Sequence, residues 1–426
     1  MQQPTRDSYD VIVIGGGPAG STAASIVARE GDHRVLLLDR EKFPRFRIGE
    51  SLMPATYWTF KRVGVLDKMR ESAFPTKYSV QFFSGDGNSS APFYFDEFDD
   101  HESAQTWQVD RVDFDKMMLD HAAESGVDVV QRANVREVIE EDGQVTGVRV
   151  ELLEDGSERH IDCKVVIDAS GQTSMLARRH GLKQIDPKLK HASYYTRFRG
   201  AQRDTGKDAG ATLIMFTREH KSWFWFIPLP GDIVSVGVVA PVEHLASYGT
   251  ADLQAVFDDE LENCPTLHDR LRGATQEGDV KAIRDFSYIS SRIAGDGWVL
   301  AGDAFGFLDP MYSTGVFLAL TSGELAADSA LDALKHGDYS AARLGQHGPK
   351  YLAGMESMRR LVYAYYDPKF SFPRFLKQHP ECRDTLVNLL VGNVFRIDDS
   401  DMFAKMSGMV ELPEPRRLAS EAEVPS

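Results

Sequence analysis

Three short stretches of this chain combine residue types and spacings that could do chemistry. GGGPAG sets Gly15, Gly17 and Gly20 in a G-x-G-x-x-G register. The first glycine suits a tight turn, the second lets backbone approach a pyrophosphate, and the third lets a helix lie close on a strand. Pro18 and Ala19 share that turn, and the first amides of the following helix would face the phosphates. SWFWFIPLP sets Trp223 and Trp225 two apart. An extended strand would put both indoles on one face and Phe224 and Phe226 on the other, as an indole wall or as buried sheet core. DPMYSTG runs through Pro310 and Tyr312 to Ser313, Thr314 and Gly315, just before a run with helical apolar spacing. Free amides at such a start form an anion site without any basic side chain, although Ser313 or Thr314 would equally serve as an ordinary N-cap. A fourth residue is ambiguous by itself. Lys77 opens a stretch with alternating Tyr78, Val80 and Phe82, and reads as a surface charge at a strand mouth or as a reactive amine.

The elements that must position these groups are legible around them. Tyr9 to Ile14 (YDVIVI) has the apolar, β-rich make-up of a buried parallel strand, and Ser21 to Arg29 that of a helix. RVLLLD ends at Asp39, about 20 residues beyond the glycines, where a carboxylate meets a ribose hydroxyl in dinucleotide folds; Arg40 follows it. VIDASG and WVLAGDAFGFLDP read as two further strands, the second returning Gly302 and Asp303 toward ribityl or ribose hydroxyls. QVDRVDFDKMML places Arg111 before an amphipathic helix. DREKFPRFRIGESLMPAT resembles the strand-end and loop of flavoenzymes of the geranylgeranyl reductase and halogenase branches. That resemblance implies Arg45, Arg47, Glu50 and Ser51 as flavin-side contacts, the arginines otherwise being solvated loop charges.

This order resembles the glutathione-reductase-type FAD fold of aromatic hydroxylases, geranylgeranyl reductases and flavin-dependent halogenases. The expected class is α/β: a Rossmann-like FAD domain, an antiparallel-sheet substrate domain and a C-terminal α-helical region. The FAD domain is expected to be discontinuous, over 1–75, 100–185 and 285–335. The substrate-side sheet falls at 76–99 and 186–284 and the helices at 336–410, with a disordered tail over 411–426. No second G-x-G-x-x-G occurs, so reducing equivalents are expected from a separate flavin reductase.

Composition narrows the partners. The 426 residues are 42% hydrophobic and 26% charged, ordinary for a globular protein. A formal net charge of −16 disfavours nucleic acid and anionic membrane surfaces. Cys163, Cys264 and Cys382 lie far apart with no metal-ligand spacing, which suits a reducing cytoplasm and leaves no metal site to expect. The N-terminus is polar and acidic where a secretion signal would be basic.

Lys77 together with W-x-W-x-I-P, here Trp223, Trp225, Ile227 and Pro228, narrows the resemblance to the flavin-dependent halogenases. That resemblance implies FAD used as FADH2, with O2 and chloride or bromide as co-substrates. It implies that hypohalous acid reaches Lys77 through an internal passage and halogenates an electron-rich aromatic ring there. Trp223 and Trp225 would then partition flavin from substrate, and the halide would contact Ser313, Thr314 and Gly315. Tryptophan-specific members carry a glutamate where this chain has Tyr312. The pattern therefore resembles the members acting on phenols or pyrroles, free or tethered to a carrier protein, as does the aromatic segment Tyr363 to Leu376. The alternatives are a geranylgeranyl-reductase-like flavoprotein, an aromatic monooxygenase, or a flavoprotein without turnover.

Overall fold

Val11–Ile14 and Val35–Asp39 are continuous apolar runs, and every residue in them is buried. Such runs pair in parallel because helices cover both faces of the sheet they form. In the computed structural model, which describes residues 3–97 and 99–419, they are central strands of a six-stranded sheet. Its order is Ala294–Gly295, Trp298–Leu300, Val165–Asp168, Val11–Ile14, Val35–Asp39 and Asp128–Gln131. Only the first of these strands runs antiparallel to its neighbour. Helix Pro18–Glu30 packs against helices Thr314–His336 and Arg111–Glu124, burying its small-residue face between them.

The second large element is an eight-stranded sheet. Its order is Gly306–Phe307, Thr275–Ser290, Lys183–Arg199, Ile233–Pro241, Trp223–Pro228, Thr212–Phe216, Ser79–Phe83 and Phe93–Tyr94. All pairings are antiparallel except that of Thr212–Phe216 with Ser79–Phe83. A three-stranded antiparallel sheet over Ala133–Glu141, Gln144–Leu152 and Ser157–Asp162 completes the β-structure near the FAD-side segments.

Two expectations need correction. Lys77 does not open the strand that carries Val80 and Phe82. It belongs to a short ribbon, Thr76–Lys77 paired with Thr106–Trp107, and Tyr78 separates this ribbon from Ser79–Phe83 of the large sheet. The tail from Glu411 is not free over its described part. Arg359 Nη2 donates to Glu414 O at 2.7 Å and Arg416 Nη2 to Asp186 Oδ2 at 3.0 Å; Ala419 N donates to Ser291 O at 2.8 Å. Buried Asp186 also accepts from Tyr363 and Arg359, so one carboxylate ties the tail to helix Gly348–Tyr366. Residues 420–426 lie outside the described residues.

Candidate active site

A cavity of about 660 Å3 lies between the parallel sheet and the large antiparallel sheet, within the size range of cofactor and ligand sites. Its first end is the glycine turn. Gly15 has φ +104° and its backbone crosses so close to Ala169 that a Cβ would stand 2.4 Å from the carbonyl oxygen. A Cβ on Gly20 would stand 1.8 Å from Gly15 O, so helix and strand approach only because that residue is glycine. Helix Pro18–Glu30 starts without a side-chain cap bond, which leaves its first amides to the cavity that Gly17, Pro18 and Ala19 line. Arg45 reaches over the same turn, its Nη2 3.6 Å from the position of a Gly17 Cβ, and Nη1 pairs with buried Asp115 at 2.7 Å. Asp39 is buried; it accepts from Gly16 N at 2.7 Å and Glu41 N at 2.8 Å and still lines the cavity, beside Arg40 and Arg47. Arg47 is half-exposed and pairs with Glu41.

Arg111, Glu50 and Asp303 converge on the middle of the cavity. Arg111 is the first residue of helix Arg111–Glu124, whose N-cap is Asp110. Its Nε and Nη2 donate to Asp115 at 2.7 and 2.9 Å, and Nη1 to Ile48 O at 2.7 Å. Burial pushes the Asp303 carboxyl up to about 6, with Arg111 and Lys183 pulling the other way. Gly302 beside it donates its N–H to Ser322 Oγ at 2.7 Å. Burial also raises the Glu50 carboxyl, opposed by Arg197, whose Nη2 donates to Oε1 at 2.8 Å; Glu50 Oε2 is buried with no hydrogen-bond partner.

The loop Asp309–Ser313 and the start of helix Thr314–His336 form the next part of the wall. Ser313 sits at φ +56° and its side chain makes no cap bond, so the N-cap reading of that residue does not hold. Pro310, Ser313 and Gly315 line the cavity, whereas the Thr314 side chain is buried away from it. Uncapped amides here carry the positive end of a helix of 23 residues.

The far wall is the indole face of Trp223–Pro228. Trp223, Trp225 and Ile227 line the cavity while Phe224 and Phe226 point into a separate apolar core. Trp225 lies across Gly237 of the neighbouring strand, where a Cβ would stand 2.2 Å from the ring, and its Nε1 donates to Ser235 Oγ at 3.1 Å. Trp223 Nε1 donates to the Tyr366 hydroxyl at 3.2 Å, and that hydroxyl donates to Asp309 Oδ1 at 3.0 Å. His191 stacks on Tyr366 with ring centroids 4.2 Å apart, and its Nδ1 lies 3.2 Å from Asp309 Oδ2.

Lys77 is 2% exposed and does not line the cavity. Its Nζ donates to Ser51 Oγ at 2.8 Å and to Leu52 O at 3.0 Å, and Phe95 covers it with the ring centroid 5.5 Å away. Among the described residues no carboxylate pairs with it, and burial alone lowers the amine to about 7.

A sequence model of the FAD-binding domain family matches residues 8–330. The 1H-pyrrole-2-carbonyl-[peptidyl-carrier protein] chlorinase of Pseudomonas fluorescens is 31% identical, over 95% of this chain and 94% of the relative. The corresponding brominase of Pseudoalteromonas luteoviolacea is 33% identical, over 91% of this chain and 93% of the relative. A solved flavin-dependent brominase superposes with a TM-score of 0.83 at 30% identity, over 94% of this chain and 98% of that one. The chain belongs to the flavin-dependent halogenases.

The residues of this halogenase fit its cofactor, FAD. A glycine turn that no side chain could enter faces uncapped amides, and the buried Glu50 and the Asp303 carboxyl that burial raises line the same cavity. Of the residues singled out in the sequence, the cavity brings together Gly15, Gly17, Pro18, Ala19, Asp39, Arg40, Arg47, Glu50, Ser51, Arg111, Gly302, Asp303, Pro310, Ser313, Gly315, Trp223 and Trp225. Gly20, Lys77, Tyr312 and Thr314 stand outside its wall. Gly20 serves helix packing, and Tyr312 packs edge-on against Tyr365 with centroids 6.0 Å apart, its hydroxyl 3.4 Å from Leu361 O. Sequence reasoning missed Thr212, Tyr195, Asp309, His191 and Tyr366. It also missed Ser235 and Gly237, for which a signal existed. In IVSVGVVAP, Ser235 and Gly237 share the parity that opposes the indoles, and one polar and one absent side chain on one face mark the face that accommodates a neighbour.

Proposed function

We propose that this halogenase chlorinates or brominates an electron-rich aromatic ring, a pyrrole carboxyl group held on a carrier protein, with Lys77 as the amine that activates the halogen. One observation carries the reading: a lysine with no acid partner among the described residues, buried and lowered to about 7, one hydrogen bond behind the wall of the cofactor cavity. A charge left there for stability alone would be a poor choice, because burying an unpaired ammonium is costly. The two pyrrole-carrier relatives support the substrate class, as does Tyr312, which stands where the tryptophan-specific members carry a glutamate.

When bound, reduced FAD supplies with O2 the two-electron chemistry that turns halide into hypohalous acid (FADH2 + O2 + X− + H+ gives FAD, HOX and H2O). The side chains do the rest. Gly17, Arg45 and the amides of helix Pro18–Glu30 hold the pyrophosphate, Asp39 the ribose, and Asp303 and Arg111 the ribityl side. The amides at Ser313 to Gly315 hold the halide. Trp223 and Trp225 close the wall so that the aromatic substrate stays off the flavin. Lys77 polarises HOX as the ring attacks the halogen, the O–X bond breaks, and the ring proton leaves with the hydroxide as water. A separate reductase supplies FADH2. Three free, buried cysteines support a cytoplasmic site of action; among the described residues no helix is long and apolar enough to cross a membrane.

The test is turnover with FAD, a flavin reductase, NADH and bromide, offered pyrrole-2-carboxyl carrier protein, free pyrrole-2-carboxylate and phloroglucinol. Bromination of the carrier-bound ring, lost in Lys77→Met with FAD still bound, is expected. Preference for the free phenol would overturn the substrate class, and full activity in Lys77→Met would overturn the role of the lysine.

A further inference from the structure

Lys77 spends its donors away from the cavity, on Ser51 Oγ, on Leu52 O and toward the Phe95 ring. Ser51 and Thr212 are the groups that join it to the cavity, and both line the wall. Their hydroxyl oxygens are 2.8 Å apart. Gln108 Nε2 donates to Gly210 O at 2.9 Å and to Thr212 Oγ1 at 2.8 Å. A carbonyl only accepts, so the amide nitrogen is the atom facing both. The hydrogen-bond count then closes. Ser51 Oγ accepts from Lys77 and Thr212 Oγ1 accepts from Gln108, and one hydroxyl proton is consumed between the two oxygens. Whichever hydroxyl donates, the other keeps a proton with no protein acceptor among the described residues, and both belong to the cavity wall. Ile214, Trp225, Ile227 and Val80 are the apolar neighbours of Thr212 on the same sheet face. A single neutral donor in such a setting suits a small neutral acceptor and desolvates an anion.

We propose that the Ser51–Thr212 hydroxyl pair is the receiving site for neutral hypohalous acid on the cavity side, and that Ser51 is the bridge through which Lys77 acts on it. The inference rests on Lys77 being the activating amine. Ser51 and Thr212 take the oxygen of HOX as acceptors and donors of hydrogen bonds, and the ammonium polarises it through Ser51 without entering the cavity. Without the pair, HOX has no partner at the apolar wall and leaves.

Thr212→Val keeps the shape and removes the hydroxyl, Thr212→Ser restores it, and Ser51→Ala removes the bridge. Each is compared with wild type and Lys77→Met during turnover with bromide, with the acceptor that wild type brominates and monochlorodimedone as scavenger of escaped hypobromous acid. In Thr212→Val, bromination of the acceptor is expected to fall at least tenfold while FAD affinity, O2 consumption and total oxidised bromide persist, and Ser51→Ala should lose bromination of the acceptor to a similar extent. The difference should appear in the scavenger, and Thr212→Ser should restore wild-type partition. Wild-type partition in Thr212→Val overturns the proposal, as does loss of O2 consumption together with bromination, which would put the threonine on the oxidation side. Inactive Lys77→Met beside fully active Thr212→Val refutes the hydroxyl pair alone. Active Lys77→Met, or a wild type that brominates nothing, refutes the reading beneath it and the proposal with it.

Discussion

The strand Trp223–Pro228 presents two faces, and they are built differently although both are buried. Phe224 and Phe226 meet Leu213, Met215, Val236 and Val238 of the same sheet, together with Phe257 and Leu267 of the helices that cover it. That face is closed by shape and apolar area alone. Trp223 and Trp225 meet a cavity, and each spends its N–H on a named hydroxyl, Tyr366 or Ser235. Thr212 and Ile214 share the cavity side, and from Thr212 the hydrogen-bonded path runs to Lys77. One face is held by packing and tolerates no gap. The other is held by oriented polar atoms and must leave a gap. Residues on the second face should therefore govern product and partition, and residues on the first should govern stability.

The largest expected effect that sharpens this contrast is on the cavity side. Lys77→Met should lower turnover by about 10³-fold, within the range of removing a proton-handling group, while a flavin-fluorescence titration shows FAD affinity unchanged. On the covered side, Phe224→Ala should cost about 3–5 kcal/mol in denaturant unfolding, with unchanged product per NADH in the folded fraction. A changed product ratio there would erase the distinction. Next, the same Lys77→Met protein should be more stable than wild type near neutral pH, by about 2 kcal/mol. The sign follows from the lowered amine. Between about 7 and the ordinary lysine value of 10.5 the unfolded chain holds a proton that the folded chain has released, so wild type gains stability as pH rises through that window. The advantage of the variant is full below about 7 and gone near the upper limit, as chemical denaturation across that range will show. Smallest is Tyr366→Phe, which leaves Trp223 Nε1 without its acceptor and removes one of the donors to Asp309 Oδ1, Met311 N remaining. A loss of about 1–2 kcal/mol is expected, with a shift of the Trp223 emission in the cofactor-free protein and more NADH consumed per halogenated product.

The glycine turn was readable because its causes are local. Gly15 must adopt φ +104° and Gly20 must clear a carbonyl, and both demands fall on residues within one turn of the chain. Asp39 was equally readable, because the end of a parallel strand beside that turn is a fixed place. The period of two separated the tryptophans from the phenylalanines, but both sets are apolar, and which set meets a ligand depends on what lies across from each. Tyr366 comes 143 residues after Trp223 and shares no pattern with it; only the packing of helix Gly348–Tyr366 on the sheet joins them. The tail was misread for the same reason. Its prolines and charges have the composition of disorder, and Asp186, far away in sequence, holds it.

By itself the amino-acid order determined a dinucleotide platform, an alternating aromatic strand and a helix start beside Ser313, because steric and hydrogen-bonding demands between near neighbours decide each of them. Tertiary structure alone decided that Lys77 is buried without a counter-ion and reaches the cavity through Ser51 and Thr212. Solvation and hydrogen-bond partnership belong to whatever surrounds a side chain, and for Lys77 those surroundings come from segments beginning at Ser51, Phe95 and Gln108 and ending at Thr212.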